Sequence, residues 1–180
     1  MEFALNNSHI KIIPIDFNKL NPQSQLKMLH SIKLLRTNSR NKDFIILVKQ
    51  LNAELAIIDG DDHSFYNQFN KIDTIKHAIV AYLDDTPVAC GAIKQYDLKT
   101  MEIKRMFTMP MNRGFGFSKR ILSELEQWVM ELNFKKCILE TGKKQPEAIE
   151  FYKNYEYKLT ANYGQYAGVE NSLCFEKKLS

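Results

Sequence analysis

The chain holds 180 residues, yet no apolar stretch reaches membrane-spanning length, and no charged segment leads into a short hydrophobic run at its start. A cytoplasmic location is therefore expected. Cysteine is scarce. Cys90, Cys137 and Cys174 are odd in number and far apart, and each sits inside an apolar, strand-like run. They lack Cys-x-x-Cys or His-containing metal spacing, so reduced core thiols and no bound metal are expected. His9, His30, His63 and His77 are scattered without ligand spacing. No basic run carries interleaved stacking aromatics, which argues against a nucleic-acid surface.

The length suits one domain, and 44% hydrophobic residues suffice for a proper core. The net charge of +4 is unevenly placed. Nine Lys and Arg against four Asp and Glu lie between Lys104 and Lys144, an excess greater than that of the whole chain. The excess overlaps the most informative run, Met106-Phe107-Thr108-Met109-Pro110-Met111-Asn112-Arg113-Gly114-Phe115-Gly116-Phe117-Ser118. This reads as an apolar strand, a turn, and two glycines opening an amphipathic helix. The first N–H groups of a helix have no intrahelical partner, and the helix dipole adds partial positive charge there. Arg113, Lys119 and Arg120 stand around that end, which makes it a cradle for phosphate or diphosphate. A Walker A loop is excluded because no Gly-Lys-Ser/Thr occurs at the required spacing. A dinucleotide fingerprint is weakened by Lys119, which stands where the third glycine belongs.

Periodicity places the remaining elements. Ile32–Thr37 reads as a strand, and Phe44, Leu47, Val48, Leu51, Leu55 and Ile58 recur at helical spacing, with Asp43 as expected N-cap and Gly60 as terminator. The aromatic segment Asp61–Phe69 reads as a short helix or ordered loop, with Phe65 and Phe69 either packing inward or contacting a bound ligand. Thr74–Leu83 and Pro87–Tyr96 are β-rich and joined by a hairpin signal at Asp84-Asp85-Thr86. Further strands are expected over Met101–Met109, Lys136–Glu140, Tyr157–Tyr163 and Ser172–Lys178, and helices over Gly114–Asn133 and Pro146–Tyr155. Strand–helix–strand around Gly114 needs a parallel pair and the hairpins need antiparallel ones, so an α/β fold with a mixed sheet and helices on both faces follows. Ile10–Ile15 reads as a short strand and Pro22–Leu29 as one or two helical turns.

The motifs in their order carry a family likeness. Arg113 to Ser118 fits Arg/Gln-x-x-Gly-x-Gly/Ala, with Ser118 as a small replacement at the last place. Met101-Glu102-Ile103-Lys104-Arg105 precedes it, and Leu139-Glu140-Thr141-Gly142 and Gln145-Pro146-Glu147-Ala148-Ile149-Glu150-Phe151-Tyr152 follow. From about Ile32 to Lys178 the chain resembles the GNAT superfamily of acyl-CoA-dependent N-acetyltransferases, most closely small bacterial-type members. The likeness implies a single GNAT-like domain over residues 31–180, with a mostly antiparallel sheet whose central parallel strand pair is splayed. Residues 1–30 form an N-terminal extension of no assigned role.

The implied reaction transfers the acetyl group of acetyl-CoA, as cosubstrate, to the primary amine of a small-molecule acceptor by direct attack. Neither nucleic acid nor membrane is an implied partner, and many relatives are homodimers. A primary amine near pKa ~10 must lose a proton at neutral pH, at a cost of roughly 4 kcal/mol, so a carboxylate or a carboxylate-bound water should act as base. Glu102 stands where some GNAT members carry that base, but Lys104 on the same strand face would weaken it, and Glu140 is the rival. Tyr152 occupies the position that in many members protonates the leaving thiolate, although it also belongs to a helical apolar stripe. Met106, Phe107 and Thr108 are expected along the pantetheine arm, with the main chain of Arg113, Gly114, Phe115, Gly116, Phe117 and Ser118 around the diphosphate. Gln145 stands where the family often has an Asn that binds the cofactor arm. Tyr163 and Tyr166 are expected either at the acceptor mouth or in an ordinary loop. A non-catalytic acyl-CoA-binding sensor or scaffold is the alternative function.

Overall fold

A computed structural model describes residues 32–179, together with Asn21 and Gln23. The strand expected at Ile10–Ile15, the turns at Pro22–Leu29 and the extension they belong to lie outside this described part. Among the described residues seven strands form one sheet: β1 Ile32–Thr37, β2 His77–Leu83, β3 Thr86–Gln95, β4 Thr100–Thr108, β5 Lys136–Gly142, β6 Lys158–Thr160 and β7 Ser172–Lys178. The helices are α1 Lys42–Asp59, α2 His63–Asn67, α3 Phe117–Glu131 and α4 Pro146–Asn154. The spatial order is β1-β2-β3-β4-β5-β7-β6, and β4–β5 is the parallel pair.

Local chemistry explains most boundaries. Asp84 and Asp85 both have positive φ (47° and 61°), the left-handed two-residue turn that matches strand twist and that Asp tolerates. The N-cap of α1 is Asn41, whose side-chain oxygen accepts from Phe44 N at 2.9 Å, not Asp43 as the sequence suggested. Asp43 lies inside the first turn and instead accepts a hydrogen bond from the Tyr82 hydroxyl at 2.7 Å. Gly60 closes α1 with φ 57°.

Helices cover both faces. Phe44, Leu47, Val48 and Leu51 of α1 pack on Ala78, Val80, Cys90, Ala92 and Phe107. On the other face Ile121, Leu122, Leu125 and Val129 of α3 pack on Ile79, Ala89, Ile93, Ile103 and Leu139. From Ala89 to Ile93 the alternation of β3 assigns odd residues to α3 and even residues to α1. Gly91 is the point of closest approach. A Cβ there would lie 2.5 Å from Met106 Sδ and 2.6 Å from Ile121 Cγ2. Gly91→Ala should cost about 1–3 kcal/mol through overpacking. Urea denaturation should show a lower midpoint with an unchanged slope, and an unmoved midpoint would refute this packing.

All three thiols are fully buried, as the sequence suggested. Burial pushes Cys90 and Cys137 up to about 12 and Cys174 to about 11. Titration with a disulfide reagent at pH 8 should find no rapidly reacting thiol in the native protein and three after denaturation.

Candidate active site

Between β4 and β5 the sheet comes apart. The pairing runs only from Thr100 to Glu102 against Lys136 to Ile138, and beyond it the two strands diverge. The side of β4 facing β5 is therefore unpaired from Ile103 to Thr108. Two cavities meet at this gap. The larger, of about 640 Å³, is lined by Met106, Phe107 and Thr108 of β4, by Asn112, Arg113, Gly114 and Gly116 of the loop, by the start of α3, and by Gln145, Ala148, Phe151 and Tyr152. The smaller, of about 110 Å³, is lined by Asp59, Tyr66, Asn70, Lys104, Arg105, Glu140 and Tyr166. Leu51, Leu55, Met106, Gln145, Ala148 and Tyr152 line both.

The glycine-rich run forms the mouth of the larger cavity. Gly114 and Gly116 have φ of 85° and 78°, a region costly for any residue with a Cβ. Gly116 is the N-cap of α3 and supplies no side chain to the first turn. The N–H groups of Phe117, Ser118 and Lys119 precede the first i→i−4 bond, which is made by Arg120 N to Gly116 O at 3.1 Å. The structure thus has an open helix terminus beside the unpaired strand, an arrangement suited to an anionic, extended ligand.

Two side chains expected at this mouth are engaged elsewhere. Arg113 Nη2 donates to both carboxylate oxygens of Glu54 at 2.6 Å, and Nε donates to Thr108 O at 3.1 Å. Its charge is matched across the cleft by α1. The Ser118 and Thr108 hydroxyls bond each other at 2.9 Å, tying the end of β4 to the start of α3. Phe117 is buried in the core below α3, while Gln145 caps α4 and turns its Nε2 toward Gly142. Phe115 packs against Phe117 with ring centroids 6.4 Å apart.

The two candidate carboxylates differ sharply. Glu102 is buried, paired with Lys104 at 3.2 Å, and accepts from the Tyr163 hydroxyl at 3.1 Å; it lines neither cavity. Glu140 lines the smaller one, where burial pushes its carboxyl above the ordinary 4.5, opposed by a 2.7 Å hydrogen bond from Ser172 Oγ. The Ser172 hydroxyl lies 3.1 Å from Tyr66 Oη, so a chain of hydroxyls leads away from Glu140. Tyr152 stands where the cavities join, nearly buried, and burial raises its phenol well above 10, which keeps the O–H protonated at neutral pH. Among the tyrosines of the last loop, Tyr166 lines the smaller cavity and receives Lys104 Nζ at 3.1 Å, whereas Tyr163 serves Glu102. Phe65 and Phe69 pack edge to face at 5.2 Å, and Phe69 continues onto Tyr166 at 6.0 Å.

Asp59, Asn70 and Arg105 reach the site without having been singled out from sequence. Arg105 has φ of 55° and creates a bulge, because three steps of β4 (Lys104 to Phe107) oppose two of β3 (Ala92 to Cys90). The readable signal was Lys104-Arg105 in an apolar strand: consecutive strand residues face opposite sides, so two adjacent cations there require a special backbone or an unusual burial.

A profile of the Acetyltransferase (GNAT) family matches residues 46–157, more than half of the chain. The chain belongs to the GNAT family. It is accordingly an acyltransferase, and acetyl-CoA is the family's acyl donor. The IAA acetyltransferase of Azospirillum brasilense is 32% identical over 102 residues, covering 56% of this chain and 67% of that protein. YsnE, an uncharacterised N-acetyltransferase of Bacillus subtilis, is 27% identical over 101 residues, covering 55% and 67%. The fold recurs in a provisionally assigned acyl-CoA N-acyltransferase from Klebsiella pneumoniae (TM-score 0.70, 24% identity, 83% of this chain and 98% of that one). It recurs also in the PaiA N-acetyltransferase of Thermoplasma acidophilum, solved with coenzyme A (TM-score 0.62, 16% identity, 83% and 99%). Among the described residues of this GNAT enzyme, no helix is long and apolar enough to cross a membrane.

Proposed function

We propose that this GNAT enzyme transfers the acetyl group of acetyl-CoA to the primary amine of a small molecule, with the donor in the larger cavity and the acceptor in the smaller. The observation that carries this reading is the junction itself: an open helix terminus, an unpaired strand edge and a small polar chamber meet at Met106 and Tyr152. The diphosphate would be held by main-chain N–H groups of Gly114 to Lys119 more than by the Arg113 charge, which Glu54 already matches. Met106 and Thr108 would offer backbone groups to the pantetheine arm and the acetyl carbonyl, with Phe107 and Phe117 shaping the walls and Gln145 beside the arm. The smaller cavity lies below the ~300–1,000 Å³ of drug-sized sites, which favours a compact acceptor.

Acetyl-CoA supplies the thioester; the chain supplies orientation and proton movement. Glu140, rather than the salt-bridged Glu102, is assigned as base. It takes a proton from the acceptor ammonium, directly or through water, and Ser172 and Tyr66 continue the path. The amine nitrogen then bonds to the acetyl carbon as the carbon–sulfur bond breaks, its surplus proton passes to the leaving thiolate to give free thiol, and Tyr152 directs its O–H at that sulfur. Glu102 holds Lys104 in place. A cytoplasmic setting suits three reduced thiols and is part of the same proposal.

Thiol release from acetyl-CoA across a panel of amines tests the reading. Turnover with at least one amine is expected. Glu140 acts ionised, so activity should rise with pH through a limb lying above 4.5. Glu140→Gln should abolish that limb and lower kcat by about 10²–10⁴-fold. Tyr152→Phe should lower kcat with little change in acetyl-CoA affinity measured by calorimetry. Acetyl-CoA binding without release for any amine would support a sensor instead, and an unaltered Glu140→Gln profile would return the base role to Glu102.

A further inference from the structure

The charges around the smaller cavity do not neutralise one another. The bulge at Arg105 turns Lys104 and Arg105 toward the same side of the sheet, and both line this chamber. Their situations differ. Lys104 is matched by Glu102 at 3.2 Å and steadied by Tyr166. Arg105 has no carboxylate within ion-pair distance among the described residues. Its Nη1 donates to Asn52 Oδ1 at 3.0 Å and its Nη2 to Asn70 Oδ1, both uncharged acceptors.

Two donors remain over. Arg105 Nε and Asn70 Nδ2 are buried, and neither finds an acceptor. Turning the Asn70 amide is no remedy, because its oxygen is already committed to Arg105. Buried N–H groups of adjacent side chains with no acceptor are costly, and a guanidinium matched only by amides costs more. Burial accordingly lowers the pKa of Arg105.

The opposite imbalance is found on the other side of the same chamber. Glu140 accepts from Ser172 but has no cation within ion-pair distance among the described residues. Asp59 is buried, and its nearest cation-forming group, His63 Nδ1, is 3.8 Å away, beyond hydrogen-bond reach. Burial raises both carboxyls. One cavity thus holds an unmatched guanidinium and, in Glu140, a carboxylate with no partner cation, while Asp59 has only the imidazole of His63 at 3.8 Å.

We propose that the acceptor is a small amino acid or similar amino-carboxylate, its carboxylate held at Arg105 and Asn70 while its amine meets Glu140. This deepens, and rests on, the acyl-transfer reading of the same cleft. A diamine or polyamine would satisfy the carboxylates but place a second cation beside Arg105, leaving the guanidinium and the Asn70 amide without an acceptor. A neutral amine would leave them equally unmatched. Only a ligand with both charges matches both sides, and the chamber's size restricts it to a short one.

Thiol release by the full-length enzyme should compare amino acids with the amines lacking their carboxylate, such as alanine with ethylamine and phenylalanine with phenethylamine. Putrescine and spermidine complete the panel. The best amino acid should exceed its decarboxylated partner in kcat/KM by about tenfold or more, because the amine strands a buried charge. Arg105→Gln should bring that ratio toward one, chiefly through KM, with calorimetric affinity for acetyl-CoA retained. Amines or polyamines that equal or exceed the amino acids on the wild-type enzyme would overturn the proposal while leaving acyl transfer intact. Absence of release above background with every acceptor would overturn acyl transfer, and this proposal with it. The wild-type ratio decides even if Arg105→Gln fails to fold.

Discussion

The site depends on a failure of strand pairing. β4 and β5 share only three residue pairs before they part, and everything that follows uses the backbone left free. A parallel pair at the middle of a sheet normally continues, since each unpaired amide forfeits a hydrogen bond. Here the cost is localised to one edge of β4, where a ligand's amides and carbonyls can pair instead. The same divergence opens one cavity toward the glycine-rich end of α3 and another toward Glu140.

Two glycines set how close the parts come. Gly91 lets α3 settle onto β3, so that Met106 and Ile121 occupy the volume a Cβ would need. Gly116 then ends the loop in a left-handed turn that no side chain caps, leaving the first amides of α3 exposed to the larger cavity. Helix α1 supplies partners to both the loop and β4: Glu54 for Arg113, and Asn52 for Arg105. The electrostatic layout is therefore split. Around the start of α3 the donors are main-chain dipoles, whereas the smaller cavity carries full charges, Arg105 and Glu140, without ion-pair partners among the described residues.

Much of this was legible in the chain. The hairpin at Asp84-Asp85, the helical stripe from Phe44 to Ile58, and the strand–glycine–helix order around Gly114 are local patterns, and each appears where the pattern places it. The mixed sheet with its splayed pair follows from those patterns together with the family likeness. What escaped depends on distant partners. Asp43 and Asn41 are equally good caps by type, and the choice turns on Tyr82, which holds Asp43. Glu102 and Glu140 are both strand carboxylates, and only the contacts of Lys104, Tyr163 and Ser172, brought in from other strands and loops, distinguish them. For Arg105 the adjacent cations Lys104-Arg105 mark an irregularity in the strand, but the left-handed backbone that turns Arg105 into the chamber leaves no mark on local sequence. Asn70 lies in a connection between α2 and β2, where nothing local distinguishes a buried amide from an exposed one.

Amide hydrogen exchange, with and without acetyl-CoA, addresses the central claim most directly, since the claim concerns main-chain donors. Protection should rise at residues 114–119 and along 106–108, with the outer strands β1 and β2 unchanged. Saturating acetyl-CoA that left the start of α3 and the unpaired edge of β4 exchanging as before would contradict the account.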